Sequence, residues 1–485
     1  MAKRYSIQTF GCQMNEHDSE RISGILENAG LERVEHPESS DVIVINTCCI
    51  RENADNKFYG HLGNLKNLKE INPALKIMVG GCLAQKDQEA IRERAQHVDV
   101  VFGTHNLERV AELLQESASG PIVEILESSP NDSSAYGSEP LLSRREVSYA
   151  AWMTIQSGCD NSCAFCIVPQ VRGPEVSKPF GELAQQAKDL VADGVVEITL
   201  LGQNVNSYGR DLTLKLRSKN PSDLDHVLVG QQWVDEGKRS PRPLFADLLR
   251  TIGETPNLWR VRFTSPHPKD LRPEVIQVMA ESESVCEHLH FPLQSGSDRI
   301  LSAMHRGYTS AKYLERLNQA RSVIPDLAVT TDIIVGFPGE TDKDFEETLE
   351  VAAEAQYDSA YTFIFSPRPG TEAAEMTELF CGSEIIRQRY ERLRTVIQRS
   401  GLIKHRERIG MDEQVIIEGI SKKDPTMLTG RTRQNKLVHF KASSLADGTL
   451  AIVKVTSATP NYLLGEFVEV LEKPRRKLRI PVVAA

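Results

Sequence analysis

The chain has 485 residues and a formal net charge of -10, too long for one ordinary hydrophobic core; at about 150 residues per domain it divides into roughly two to four. The acidic balance excludes a uniformly basic nucleic-acid coat, and no apolar run reaches the roughly 18 residues that a membrane-spanning helix needs. Nine cysteines, with no signal-peptide core after Met1-Ala2-Lys3-Arg4-Tyr5, point to metal or redox chemistry in a soluble cytoplasmic protein rather than to a disulfide framework.

Residues 3–126 alternate strand and helix patterns. Strands are expected at Arg4 to Phe10, Val42 to Ile45, Ile77 to Val79, Val98 to Phe102 and Ile122 to Ile125, with helices such as Asp18 to Asn28 and Asn53 to Glu70 between them. That alternation predicts a parallel α/β sheet covered on both faces. Residues 127–147, with the run Ser128-Ser129-Pro130-Asn131-Asp132-Ser133-Ser134, read as a linker.

A second α/β series fills 148–402. Its strands are expected at Ala150 to Gln156, Glu197 to Leu201, Trp259 to Phe263, His288 to Leu293, Ala328 to Val335 and Ala360 to Phe365. Six strands with helices between them predict a partial (β/α)6 barrel, interrupted by a polar, Pro-containing excursion from Asp211 to Pro243. A charged helix is expected from Ser383 to Ile409. Short strands then follow within 403–475, at Glu413 to Glu418, Met427 to Thr432, Leu437 to Phe440, Leu450 to Thr456 and Leu463 to Val470, and predict a small antiparallel β-barrel. From Ile403 onward 15 Lys and Arg face 9 Asp and Glu, so basic character concentrates there.

The sharpest signal is Cys159-x3-Cys163-x2-Cys166, directly after the first strand of the second series. A cubane iron-sulfur cluster takes one thiolate per iron, so three thiolates leave one iron open to an exogenous ligand. A zinc site lacks a nearby fourth ligand here, because no further Cys follows before Cys286 and the first His to follow is His226. Cys12, Cys48 and Cys82 each follow a predicted strand in the first series, and the carboxyl ends of parallel strands converge on one crevice. Cys49 competes with Cys48 on spacing alone. Cys286 and Cys381 fit buried structural positions.

Further strand-end groups line the same mouth of the second series: Gln203 and Asn204 in Gly202-Gln203-Asn204, Ser265-Pro266-His267-Pro268, Gln294 and Ser295 in Gln294-Ser295-Gly296, and the run Thr331-Asp332-Ile333-Ile334-Val335-Gly336-Phe337-Pro338-Gly339. His288 and His290 share one strand face and read as satisfied interior histidines. Near the C-terminus Arg431, Arg433 and Lys436, with Lys441, make a basic cluster of the kind that binds RNA backbone on small barrels.

Together these residues resemble the radical S-adenosylmethionine methylthiotransferases, and within them the MiaB-type branch that modifies an isopentenylated adenosine beside the tRNA anticodon. The resemblance runs over nearly the whole chain, in the order methylthiotransferase domain, radical-SAM barrel, TRAM domain. It rests on Gly11-Cys12-Gln13-Met14-Asn15, Asn46-Thr47-Cys48, Gly81-Cys82, Cys159-x3-Cys163-x-Phe165-Cys166-Ile167-Val168-Pro169, Leu200-Leu201-Gly202-Gln203-Asn204 and Gly430-Arg431-Thr432-Arg433-Gln434-Asn435. Ser157-Gly158 and the long connection from Asp211 to Pro243 depart from the usual pattern.

The resemblance implies two 4Fe-4S clusters, one on Cys159, Cys163 and Cys166 and an auxiliary one on Cys12, Cys48 and Cys82, with Cys48 preferred over Cys49. It implies S-adenosylmethionine as cosubstrate, with Phe165, Gln203, Asn204, Gln294, Ser295 and Asp332 near it. The implied reaction uses a 5'-deoxyadenosyl radical to open C2 of N6-(dimethylallyl)adenosine, and the auxiliary cluster delivers a methylthio group there. Arg431, Arg433 and Lys436 are expected to grip the anticodon stem-loop, and a reducing electron donor and a monomeric enzyme are expected. Sister enzymes acting on threonylcarbamoyl adenosine in tRNA or on a ribosomal-protein aspartate share both clusters, and a non-enzymatic iron-sulfur RNA-binding module is the remaining alternative.

Overall fold

In the computed structural model, residues 3–49, 52–127, 143–215, 243–443 and 445–474 are described. Most of the expected linker, most of the excursion after Asp211 and the basic tail beyond Pro474 lie outside them; Arg210–Lys215 is helical.

Six parallel strands form the first sheet: β1 (Arg4–Phe10), β2 (Glu32–Arg33), β3 (Val42–Thr47), β4 (Lys76–Gly81), β5 (Val100–Phe102) and β6 (Ile122–Glu124), in the order β2-β1-β3-β4-β5-β6. β3 is buried throughout, and its alternation divides two cores. Ile43 and Ile45 face Phe58 and Leu62, whereas Val42 and Val44 face Ile22, Leu26 and Leu113. A strand covered on both faces reads as an unbroken apolar run, and Val42-Ile43-Val44-Ile45 is one. The two-residue β2 was too short to show as a pattern. It is held by parallel pairing of Arg4 with Glu32.

The central unit contains β7 (Ala150–Thr154), β10 (Glu197–Leu201) and β11 (Arg260–Phe263) in one parallel sheet, and β12 (His288–His290), β13 (Ala328–Val335) and β14 (Ser359–Ile364) in another. A single parallel bridge, Val261 to Val285, joins them into an open barrel of six strands. β8 (Gln156–Ser157) and β9 (Val176–Ser177) form a small hairpin-like pair at the mouth. Amphipathic helices such as Phe245–Gly253 and Pro273–Glu281 cover the outside through Leu248, Leu249, Val275 and Met279.

The C-terminal unit is a closed barrel of β15 (Asp412–Ile420), β16 (Leu428–Thr432), β17 (Leu437–Lys441), β18 (Leu450–Ala458) and β19 (Leu463–Glu472). One pairing corrects the antiparallel expectation: β17 and β19 run parallel, which closes the barrel. It sits against the amino-terminal ends of the central strands. Arg260, at the start of β11, donates to the carbonyls of Arg431 and Gln414 at 2.7 Å each, and Arg262 donates to those of Thr432 and Arg433. The cysteine loop lies at the opposite, carboxyl end of the same strands.

Candidate functional site

The Cys159 loop leaves β8 through Gly158, whose φ is +77° and whose hypothetical Cβ would lie 1.9 Å from the carbonyl oxygen of Pro174. Only glycine lets the two backbones approach this closely. The loop is then stapled on three sides: Cys159 N–H donates to Gly173 O at 3.1 Å, Ala164 N–H to Met304 O at 3.2 Å, and Ala373 N–H to Ala164 O at 2.9 Å. Gly158→Ala is therefore expected to displace the loop and to lower the iron bound at this triad severalfold while the far barrel stays folded; iron per chain with circular dichroism checks this.

All three thiols are partly exposed. Burial pushes Cys159 up to about 11 and Cys166 up to about 12, so an ion that coordinates them must displace protons. The donor set offers compensation. Asn161 N–H donates to Cys159 Sγ at 3.5 Å, and the buried Arg306 donates to Cys163 Sγ at 3.3 Å. Among the described residues no three or more His, Cys, Asp or Glu side chains converge on the volume of one metal ion; a cubane instead presents its irons at separate corners.

Beside this loop, at the carboxyl ends of the strands, four buried polar atoms have no protein partner: Gln156 Oε1, Gln203 Oε1, Asn204 Oδ1 and His267 Nε2. The other halves of two of them are fixed, because Gln156 Nε2 donates to Asn204 O at 2.7 Å and Asn204 Nδ2 to Asp270 Oδ2 at 2.9 Å. His267 Nδ1 accepts from Lys269 N–H, and burial, aided by Arg306, lowers its pKa to about 2. The neutral ring therefore carries its proton on Nε2. Buried unsatisfied groups of both donor and acceptor type fit a polar organic ligand. Phe165 packs beside this mouth with Ala164, Met304, Phe337 and Phe365.

Three sequence candidates are placed differently. The Ser295 hydroxyl is fully buried and spent on Thr348 and on the N–H of Ser297. Gln294 has φ +67° and joins β13 through its backbone, its N–H donating to Asp332 O. Asp332 Oδ2 lies 3.3 Å from His290 Nε2, within a polar stripe where His288 and His290 both share Thr330 Oγ1. His288 and His290 are thus satisfied inside the barrel.

The second triad is assembled at three neighbouring strand ends. Cys12 caps the helix Gln13–Asn28 that follows β1, Cys48 follows β3, and Cys82 opens the helix Cys82–Asp87 after β4. Cys48 N–H donates to Phe10 O, and Asn46 Nδ2 reaches Asn15 O and Ser19 Oγ, which sews the first two loops together. At Gly81, with φ +94°, a Cβ would lie 2.5 Å from Thr47 O. The thiols titrate as a set. Hydrogen bonds from Cys48 lower Cys12 to about 7 and lower Cys82 well below the usual thiol value, while Cys48, between them, is raised. Cys49 acts on Cys82 alone and shares with it the core around Phe58, whereas Cys48 acts on both Cys12 and Cys82.

The two triads face one interface. His17 Nδ1 lies 2.8 Å from Thr154 Oγ1, Thr104 Oγ1 donates to Val171 O at 2.7 Å, and the buried Arg172 donates to Asp18 Oδ2 at 2.7 Å. These residues, with Arg306, were not found by sequence reasoning, because they come from segments far apart in the chain and share no local pattern.

The basic cluster of the C-terminal barrel is corrected by the structure. Lys436 is 6% exposed and pairs with Asp358, and Arg433 grips Glu287 with two N–H groups and Val285 O with a third contact. Arg431 pairs with Glu418 at 2.9 Å. Arg433 and Lys436 are spent on docking the barrel to the central unit. Exposed lysines of the barrel are Lys422, Lys423 and Lys441, at the far end, together with Lys454 and Lys473.

Three family models match: Uncharacterized protein family UPF0004 over 4–103, the Radical SAM superfamily over 153–352 and the TRAM domain over 406–468. Among solved structures, the radical S-adenosylmethionine methyltransferase TsrM from Kitasatospora setae superposes with a TM-score of 0.51, at 10% identity over 77% of this chain and 75% of that one, which shows the shared fold. The tRNA-2-methylthio-N(6)-dimethylallyladenosine synthase of Nocardia farcinica is 44% identical over 96% of this chain and 89% of its own length. That of Acidothermus cellulolyticus is 46% identical over 96% and 88%. With three matched modules in this order and full-length identity of this size, the chain belongs to the tRNA-2-methylthio-N(6)-dimethylallyladenosine synthase family.

Proposed function

We propose that this chain is a radical S-adenosylmethionine methylthiotransferase that converts N6-(dimethylallyl)adenosine to 2-methylthio-N6-(dimethylallyl)adenosine beside the anticodon of tRNA. The observation that carries the reading is the presence of two cysteine triads on two units of one chain, brought to a common interface by His17, Thr104 and Arg172. Cys159, Cys163 and Cys166 would hold one 4Fe-4S cluster, and Cys12, Cys48 and Cys82 the other. When bound, the first cluster and S-adenosylmethionine supply one-electron cleavage of a sulfonium, and the second cluster supplies sulfur.

The protein's own part is placement. Gln156, Gln203, Asn204 and His267 would meet the polar groups of S-adenosylmethionine, and Phe165 would supply an apolar wall. The N-terminal sheet covers the mouth and so keeps water from reactive species. A loop nucleotide is unstacked at little cost, which suits an anticodon stem-loop as the substrate. Lys422, Lys423 and Lys441 supply the basic face for its backbone. Functional divisions at 3–126, 148–402 and 403–475, a monomeric state, a reducing electron donor and a cytoplasmic location complete the reading; among the described residues no helix is long and apolar enough to cross a membrane.

The test is nucleoside mass spectrometry of tRNA from a host lacking its own enzyme and expressing this chain. The 2-methylthio derivative of dimethylallyladenosine is expected. Methylthiolated threonylcarbamoyl adenosine, or a modified ribosomal-protein aspartate with unmodified tRNA, would assign the chain to a sister activity, and binding of RNA without release of 5'-deoxyadenosine would reject an enzyme.

A further inference from the structure

We propose that Asp332 reads the target base: inside the open barrel its carboxylate accepts the N6–H of the adenosine that is to be modified, and His290 holds it in place to do so. The inference deepens the proposed function and rests on it. It starts from strand alternation. Leu289, Phe291, Val329, Ile333 and Val335 join the core beneath the outer helices, so their neighbours His288, His290, Thr330 and Asp332 face the inside of the barrel. Register sets Asp332 beside Tyr361 and Ile334 beside Phe363 on that inner face. Ile334 and Phe363 pack in one cluster with Phe165 of the cysteine loop. Asp332, two residues before Ile334, stands roughly 7 Å deeper.

The polar row on this face has a direction. Asp332 Oδ2 lies 3.3 Å from His290 Nε2, His290 Nδ1 lies 2.9 Å from Thr330 Oγ1, and Thr330 Oγ1 lies 3.1 Å from His288 Nε2. A carboxylate only accepts. With a neutral ring, His290 therefore spends its N–H on Asp332 and accepts from the Thr330 hydroxyl, which accepts in turn from His288. The row is satisfied up to its last member. Among the described residues Asp332 Oδ1 has no protein partner, and the side chain is 25% exposed. One acceptor is left open, oriented through Oδ2 and able to take only a donor.

The space beside that acceptor suits a base. The two sheets of the barrel meet through Val261 and Val285, whereas β7 and β14 end them on the other side with no bridge between the two among the described residues. Tyr361, within β14 and on its inner face, is 61% exposed, and its ring stands 6.3 Å from that of His290. An aromatic face at an open edge is a stacking platform for an unpaired base, and the acceptor next to it reads the edge of that base. Adenine substituted once at N6 keeps one N–H there. C2 projects from a different part of the ring, so the base can offer N6–H to Asp332 while C2 turns toward the cysteine loop. In the proposed site the polar groups of S-adenosylmethionine meet Gln156, Gln203, Asn204 and His267, which follow β7, β10 and β11, and the row on β12 and β13 is left to the substrate.

The test compares two anticodon stem-loops on the iron-loaded full chain and on its Asp332→Ala variant: one carries N6-(dimethylallyl)adenosine, the other the same nucleoside methylated at N6, which has no N6–H. The parent chain is expected to lose about 10- to 100-fold in kcat/KM on the N6-methyl substrate, the scale of a hydrogen bond to a charged group. Asp332→Ala is expected to lose a similar factor on the first substrate and nothing further on the second. Its iron content, and its S-adenosylmethionine affinity by equilibrium dialysis, are expected to match the parent's. Losses that multiply, a parent chain indifferent to the N6-methyl group, or weakened S-adenosylmethionine binding in Asp332→Ala each overturn the proposal. If Asp332→Ala does not fold, Asp332→Asn takes its place: with its oxygen kept by His290, its N–H opposes N6–H, and an undiminished kcat/KM overturns the proposal equally. A parent chain that methylthiolates neither RNA would reject the function itself, and the proposal with it.

Discussion

Replacing Cys159, Cys163 and Cys166 together by Ala is expected to abolish reductive cleavage of S-adenosylmethionine, whereas replacing Cys12, Cys48 and Cys82 is expected to spare cleavage and stop methylthio transfer. Each set should also remove roughly half of the bound iron if, as proposed, each triad serves one cluster. The asymmetry follows from where the triads stand. The Cys159 loop is stapled to the central barrel by Gly173, Met304 and Ala373 and is flanked by the unpartnered Gln156, Gln203, Asn204 and His267. The other triad is built on strand ends of a separate sheet, whose two cores draw on the central unit only through Ile167 and Val171. Losing one set leaves the other's scaffold intact. Quantifying 5'-deoxyadenosine and methylthiolated nucleoside in the same reaction checks this, and cleavage that survives loss of the first set would reject its assignment.

The second large effect is on stability. Lys436→Met is expected to cost about 3–5 kcal/mol, because Asp358 then stays buried with its charge unpaired. Asp358 is 9% exposed on its side chain, and its carboxylate also accepts from the N–H of Val329 at 2.8 Å. Combining Lys436→Met with Asp358→Asn should recover part of the loss. Thermal unfolding measures the effect, and the salt dependence of RNA binding separates the two roles that sequence and structure assign to Lys436. A docking residue leaves the salt slope of the parent unchanged. A phosphate contact would lower it by about one, which would restore the reading that burial argues against. Lys422→Glu with Lys423→Glu, at the exposed end, is expected to lower that slope instead.

The contrast between Lys436 and the cysteines shows which features were legible. Val42 to Ile45 and Ile77 to Val79 declared a buried parallel sheet through composition alone, and a cysteine just after each strand end inherits the geometry of that sheet. Periodicity also carried β10 and β13, whose observed limits match the expected ones. The charge of Arg433 and Lys436 was equally visible, but charge in a sequence does not say what it faces. Glu287, Asp326 and Asp358 stand at the amino-terminal ends of three central strands, more than 70 residues from Arg433, Gln434 and Lys436, which they meet. The surroundings of Ser295 were hidden for the same reason, its hydroxyl meeting that of Thr348 on a later helix.

What the sequence determined by itself is the chemistry available and the order of its carriers: two sets of three thiols, one local and one spread over successive strand ends, followed by a small barrel. Local spacing and strand period are properties of the backbone, so they survive without knowledge of the partners. What only the tertiary structure decided is how those carriers meet. Arg172 reaches Asp18 across 154 positions, His17 reaches Thr154 across 137, and Arg260 seats the C-terminal barrel through carbonyls 154 and 171 positions away. Such contacts depend on which side chains share a buried volume after the three units pack, and no residue pattern along the chain encodes that volume.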